Sequence, residues 1–152
     1  LDPSSDVATL NQLREATMEE PPDQWRKHAP EYLDILLRTQ SPDAILEAAR
    51  FLSSMEGIPW EFGRDKIPSA LADRVPAIQH LAANMVACDM GGGCGPNGIY
   101  VWTACPDYAL CRPGLSMDEL WRTIYSPLEY GLALRMAKDL RLQRQQYAAT
   151  HH

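Results

Sequence analysis

The sequence lacks an excess of positive charge and lacks any long apolar run. It has 20 Asp and Glu residues against 14 Lys and Arg residues, which gives a formal net charge of -6. That balance repels a phosphate backbone, so nucleic acid is not an expected partner. No stretch reaches the roughly 18 consecutive apolar residues that a membrane helix needs. We therefore expect no membrane insertion of this chain.

Familiar catalytic motifs are also missing. There is no G-x-S-x-G elbow and no H-E-x-x-H pair, and His28 and His80 are the only histidines before the C-terminal two. The glycine-rich run 91–98 lacks the lysine and the Ser/Thr of a phosphate-binding loop. We therefore expect no catalytic residue, no metal and no cofactor. Each internal histidine is interpreted as a satisfied or surface residue.

Strand signals are scarce, and helix signals dominate the chain. Three serines stand where a helix cap is needed, each followed by an acidic residue that suits the positive end of a helix. They are Ser41, Ser116 and Ser126, the last two with Glu119 and Glu129 at capping-box spacing. Segment 99–105 has the composition of a strand, but we predict a helix because it follows Pro96-Asn97 and its surroundings are helical.

The pattern predicts an all-α fold of about seven helices, in an antiparallel bundle or a short α-solenoid. Residues 1–150 form one expected domain, and His151-His152 is interpreted as a tag remnant. The last helix is predicted to run to about Tyr147, with one apolar side. That side consists of Leu128, Leu132, Met136 and Leu140. The loop 58–68 is expected to be anchored to the core by Trp60 and Phe62.

Four cysteines follow the pattern C-x5-C-x10-C-x5-C, at Cys88, Cys94, Cys105 and Cys111. The strings CDMGGGCGP and CPDYALCRP share one pattern, in which two cysteines six residues apart are followed by a proline. In each string the two cysteines would lie on either side of a turn between two helices. Local pairing, Cys88–Cys94 and Cys105–Cys111, is the preferred one of the three possible connectivities. A zinc site and four buried free thiols are the alternatives. Disulfides indicate an oxidising compartment, the periplasm or the exterior.

This arrangement of cysteines resembles that of uncharacterised bacterial secreted or periplasmic helical proteins, which repeat C-x5-C staples and often contain a CGP string. The resemblance covers about residues 85–115. It implies the helical class and the compartment, and it brings no activity. Leu1 is not an initiator methionine, so we expect that a signal or an anchor has been removed.

The candidate binding surface is the stapled segment from Ile99 to Leu115. It holds aromatic and charged residue types that anchor protein interfaces. The candidates are Tyr100, Trp102, Asp107, Tyr108, Leu110 and Arg112. A loop held by a disulfide binds with little ordering cost. The alternative is that Tyr100 and Trp102 belong to the core.

These observations favour a non-enzymatic protein-binding module of the bacterial envelope, such as an inhibitor or immunity protein for a secreted toxin. An acidic module suits a basic protein partner. One alternative is a hydrolase of cell-wall or carbohydrate substrates that uses carboxylates near Trp60-Glu61. Another is a structural subunit of an envelope assembly, which forms homo-oligomers through its last helix.

Overall fold

The computed structural model describes residues 3–54, 64–91 and 93–151, and within these ranges every regular element is a helix. The predicted all-α class with seven α-helices is confirmed. The α-helices are α1 (Pro3–Met18), α2 (Ala29–Arg38), α3 (Pro42–Ser54), α4 (Val75–Cys88), α5 (Ile99–Ala104), α6 (Met117–Ile124) and α7 (Pro127–Thr150). Short 3₁₀ helices at Pro22–His28, Arg64–Lys66, Ser69–Arg74 and Cys105–Tyr108 connect them.

The predicted helix starts are formed by side-chain caps. The Ser41 hydroxyl accepts a hydrogen bond from the Ala44 N–H at 3.2 Å. At the start of α7, Ser126 and Glu129 form the full reciprocal capping box. At the start of α6 only half of the predicted box forms: Ser116 accepts from the Glu119 N–H, while the Glu119 carboxylate pairs with a neighbouring arginine.

Helices α2, α3, α4 and α7 surround the main core in a closed arrangement, in which α7 packs on α4 and on α2. The end of α7 is tied to the end of α2, because the Arg144 guanidinium donates to the Leu36 and Thr39 carbonyls at 2.5 and 2.6 Å. In a solenoid each unit contacts only its neighbours in sequence. The contact between α2 and α7 therefore identifies a bundle.

Ion pairs at both ends show how α7 lies against α4. Arg74, just before α4, pairs with Glu129 in the first turn of α7 at 2.7 Å. Arg141 in α7 pairs with Asp89, just after α4, at 2.6 Å. The start of α4 thus meets the start of α7, and the end of α4 meets the later part of α7, so the two helices run in the same direction. This pair corrects the prediction of an antiparallel bundle, because α5 and α6 separate the two helices in the chain. Helix α6 packs on α5 and on α7 beside this pair.

The predicted apolar side of α7 needs one correction. Leu132, Met136 and Leu140 are buried as expected, but Leu128 is 55% exposed. Successive residues of an α-helix are rotated by about 100°, and the inward position in the first turn belongs to Glu129. That side chain is 9% exposed and holds the capping box and Arg74. The anchoring predicted for Trp60 and Phe62 lies outside the described residues.

Candidate functional site

Both predicted disulfides are present. Cys88 is bonded to Cys94 and Cys105 to Cys111, with Cα–Cα distances of 5.7 and 5.0 Å. All four cysteines of the sequence are therefore used, which excludes the zinc-site and free-thiol alternatives. Elsewhere in the described ranges, no group of three or more His, Cys, Asp or Glu side chains is placed to hold a metal ion.

The first stapled turn fixes where α5 begins. The N–H groups of Tyr100 and Val101 both donate to the Gly93 carbonyl, at 3.0 and 3.3 Å. An anion at this helix start would need the same N–H donors. Because the Gly93 carbonyl already accepts from them, they are not free to bind an anion. A Cβ on Gly93, which has φ +122°, would lie 2.7 Å from the Ile99 side chain. Glycine is therefore required at this close approach.

The second stapled turn fixes the residues that follow α5. Cys105 is fully buried and begins the 3₁₀ helix Cys105–Tyr108. Ala109 then adopts a left-handed conformation with φ 55° and ψ 36°. The Leu110 N–H donates to the Cys105 carbonyl at 3.2 Å, inside the ring closed by the disulfide. The backbone of Asp107 and Tyr108 is thereby held at the surface in one conformation.

The six predicted site residues do not form one surface. Asp107, Tyr108 and Trp102 are exposed, Trp102 by 43%. The half-buried Tyr100 donates its hydroxyl to Asp43 at 3.1 Å. Leu110 packs partly buried against the core, and Arg112 pairs with Glu119 on α6. The alternative that Trp102 belongs to the core is wrong, because Trp102 lies on the outer side of α5. The neighbouring Val101 takes the buried position on this helix.

Asp107 and Tyr108 line a cavity of about 520 Å³ between α3, α4 and α6. We call it the stapled groove. Its polar and aromatic lining is formed by Arg50, His80, Asn84, Thr103, Asp107, Tyr108, Trp121 and Tyr125. A smaller cavity of about 100 Å³ shares the wall residues Asn84 and Thr103 and reaches Tyr100. The structure thus brings Asp107 and Tyr108 together in the groove and places Tyr100 next to it.

The stapled groove collects polar aromatic groups that lack hydrogen-bond partners. Four of the six tyrosine hydroxyls in the chain are hydrogen-bonded to Thr17, Asp43, Asp118 or Asp34. The other two, those of Tyr108 and Tyr125, have no partner among the described residues, and both line this groove. The Trp121 indole N–H is also without an acceptor among the described residues, and its nitrogen is not fully buried although the residue as a whole is 8% exposed. Such groups are available to a ligand.

The two internal histidines differ in their surroundings. His28 is satisfied as predicted, since its Nε2 lies 2.9 Å from a Glu20 carboxylate oxygen. The half-buried His80 ring, by contrast, has no hydrogen-bond partner in the described part of the chain and lines the groove. The sequence does carry a signal for this. His80 and Asn84 stand four residues apart in the mostly apolar helix VPAIQHLAANMVAC and mark one polar stripe.

Burial shifts the pKa values of two residues that line the groove, His80 and Tyr125. It lowers the pKa of His80 from its ordinary value of 6.5; nearby Arg50 lowers this pKa further, and Glu47 opposes the shift. His80 is therefore mainly neutral at pH 7. Burial also raises the pKa of Tyr125, an effect that nearby Tyr108 increases, so its hydroxyl stays protonated.

No protein-family model, no curated protein and no solved structure matches this chain. Its class is defined by its own geometry, as an all-α bundle with two disulfide-stapled turns beside a lined groove. No helix in the described ranges is long and apolar enough to cross a membrane. Glu61, the carboxylate of the hydrolase alternative, lies outside the described residues.

Proposed function

We propose that the chain is a non-enzymatic protein-binding module of the bacterial envelope or exterior, and that the partner is held in the stapled groove and on its rim. An inhibitor or immunity protein for a secreted toxin is the specific form of this proposal. The observation that carries it is the collection of unpaired polar aromatic groups in a groove with one wall fixed by a disulfide.

Aromatic residues at the centre of an interface dominate binding energies because they combine a large apolar surface with a polar group. Tyr108 supplies such a surface, since 49% of the residue is exposed. Its backbone is already ordered by the Cys105–Cys111 ring, so a partner would not meet the entropy cost of fixing a flexible loop. The two disulfides also support a location outside the reducing cytoplasm.

The adjacent acids of α6 are each engaged by another side chain, which does not favour them as a hydrolytic pair. Asp118 accepts hydrogen bonds from Tyr130 and Arg122, and Glu119 pairs with Arg112. These acids lie next to each other on α6, but each is held by its own partner. Paired acids of this kind stabilise local structure, whereas a general acid needs a carboxyl group that is free to reach a substrate.

The test is quantitative capture of partners by the immobilised protein from secreted and envelope fractions of the source organism. The variants are Tyr108→Ala, which removes a groove ring, and Leu142→Ala, which removes an exposed apolar side chain from the distant end of α7. We expect a partner that the wild type and Leu142→Ala recover equally and that Tyr108→Ala recovers about tenfold less well. Equal recovery by all three proteins, or no partner above background, would reject the proposal.

A further inference from the structure

Asp107 is the acidic residue at the edge of the stapled groove. Its carboxylate is exposed and takes part in no ion pair or hydrogen bond with the described residues. The acids of α6 differ, since Asp118 and Glu119 each hold an arginine. One wall of the groove therefore carries a negative charge that is not ion-paired within the described part of the chain.

Aromatic rings lie in the same cavity as this carboxylate. Tyr108 is the next residue in the chain, and Tyr125 and Trp121 line the groove with it. The face of an aromatic ring attracts a cation, and most strongly when the ring is that of tryptophan. A carboxylate beside several rings is the combination that recognises an ammonium or a guanidinium group.

The residues that α5, the 3₁₀ helix Cys105–Tyr108 and α6 contribute to the groove include no cation. Arg50 enters the lining from α3, and part of its charge is offset by the Glu47 carboxylate 3.4 Å away. The His80 imidazole is mainly neutral at pH 7, as its burial requires. The chain as a whole carries a net charge of -6 and attracts positively charged partners from a distance.

We propose that the Asp107 side of the stapled groove binds a lysine or arginine side chain of the partner protein. The cation lies against Asp107 and the Tyr108 ring, and the methylene groups of the same side chain cover the apolar part of the wall. The cavity of about 520 Å³ has room for one such side chain with its adjoining backbone. This inference rests on the proposed function and specifies the chemistry of the partner.

The probe is a capped tripeptide, Gly-Arg-Gly, titrated into the ¹⁵N-labelled protein and followed by NMR. The capped peptides Gly-Glu-Gly and Gly-norleucine-Gly serve as acidic and neutral comparisons. The readouts are the Trp121 indole N–H, assigned by its loss in Trp121→Phe, and the Tyr108 amide. We expect saturable shifts with the arginine peptide and smaller ones with both comparison peptides.

Asp107→Asn should weaken binding of the arginine peptide by about threefold to fivefold, the upper part of the range for an exposed charge pair. The matched control is Asp23→Asn, which removes an exposed acid from the 3₁₀ helix Pro22–His28 that has no ion pair with any described residue. This variant should change the affinity by less than about twofold. Equal binding of the acidic peptide, or no effect of Asp107→Asn, would overturn the inference. If the peptide test failed in this way but Tyr108→Ala still reduced partner capture, the proposed function would stand and only the inference about a bound cation would fall.

Discussion

The His80 ring occupies a half-buried position where a charged imidazolium would be poorly solvated. Burial is the largest cause of its lowered pKa, and the Arg50 guanidinium adds to it. The other charged or titratable groups around it are Glu47 on α3, Asp107 and Tyr108 after α5, and Tyr125 after α6. A neutral His80 avoids the burial of a charge in the folded protein, and it does not repel a cation bound in the groove.

A pH dependence of stability follows from His80. The unfolded chain binds a proton at this residue near pH 6.5, whereas the folded chain does so only at a lower pH. The free energy of unfolding should therefore fall as the pH drops from about 6.5 through the folded pKa. Urea denaturation between pH 7.5 and pH 5 should show a smaller loss for His80→Gln than for the wild type. Identical pH profiles would contradict the burial of this imidazole.

Arg144 is a second residue with a structural role that its sequence position does not reveal. Its guanidinium, half buried, donates to the Leu36 and Thr39 carbonyls where α2 ends. The last carbonyls of a helix have no partner within that helix. Arg144 supplies the missing hydrogen-bond donor from the last helix of the chain. Burial of its guanidinium lowers the pKa of Arg144.

Substituting Arg144→Met should lower the free energy of unfolding by about 2 kcal/mol, because hydrogen bonds from a charged group to two carbonyls are lost. Arg135→Met is the control, since Arg135 is exposed on the same helix and has no ion pair in the described chain. Its effect should stay within about 0.5 kcal/mol. Equal denaturation midpoints for wild type and Arg144→Met would show that these hydrogen bonds add nothing.

At the scale of elements, the two stapled turns position α5 and the 3₁₀ helix Cys105–Tyr108 against the bundle. The first turn is also tied to α6, because the Met117 N–H donates to the Cys94 carbonyl at 2.9 Å. The segment that begins α6 is therefore fixed relative to the segment that begins α5. Three short elements thus form one rigid wall, opposite α3 and α4.

The double variant Cys105→Ala/Cys111→Ser removes the staple next to the groove. A ring this short contributes about 2 kcal/mol by the loop-entropy estimate, and stability should fall by that amount. Hydrogen exchange of the Ala109 and Leu110 amides should accelerate by more than that of the Leu140 amide in the core. The variant Cys88→Ala/Cys94→Ser is the comparison and should spare the Ala109 and Leu110 amides. Equal acceleration in both variants would mean that the staple does not act locally.

Within single elements, the sequence was a good guide to structure. The repeated C-x5-C strings favoured the correct disulfides because each string places two cysteines across one turn between predicted helices. Ser126 and Glu129 predicted the start of α7 because capping chemistry is local. Leu128 misled the prediction of the apolar side, since only the packed bundle shows that Glu129, with Arg74 as a partner, takes the inward position.

At the scale of the whole molecule, the groove is formed by residues from helices that are far apart in the sequence. The sequence predicted only some of these residues. Asp107 and Tyr108 were found because the staple marked their turn as a fixed surface. Trp121 and Tyr125 were missed because they come from the region of α6, and His80 because it comes from α4. Periodicity shows which side of a helix is buried, but it does not show which helices meet there. Long-range packing decides that.

Site-specific photo-crosslinking tests the central claim, that the stapled groove holds a protein partner, most directly. A benzophenone amino acid at position 103, an exposed position of the groove wall, leaves Tyr108 intact; position 142 on α7 serves as the control. After irradiation with secreted and envelope proteins of the source organism, we predict one discrete adduct with another protein from position 103 and none from position 142. No adduct from position 103, or the same adducts from both positions, would contradict the account. An adduct with a second copy of the chain from position 142 alone would instead support self-association through α7.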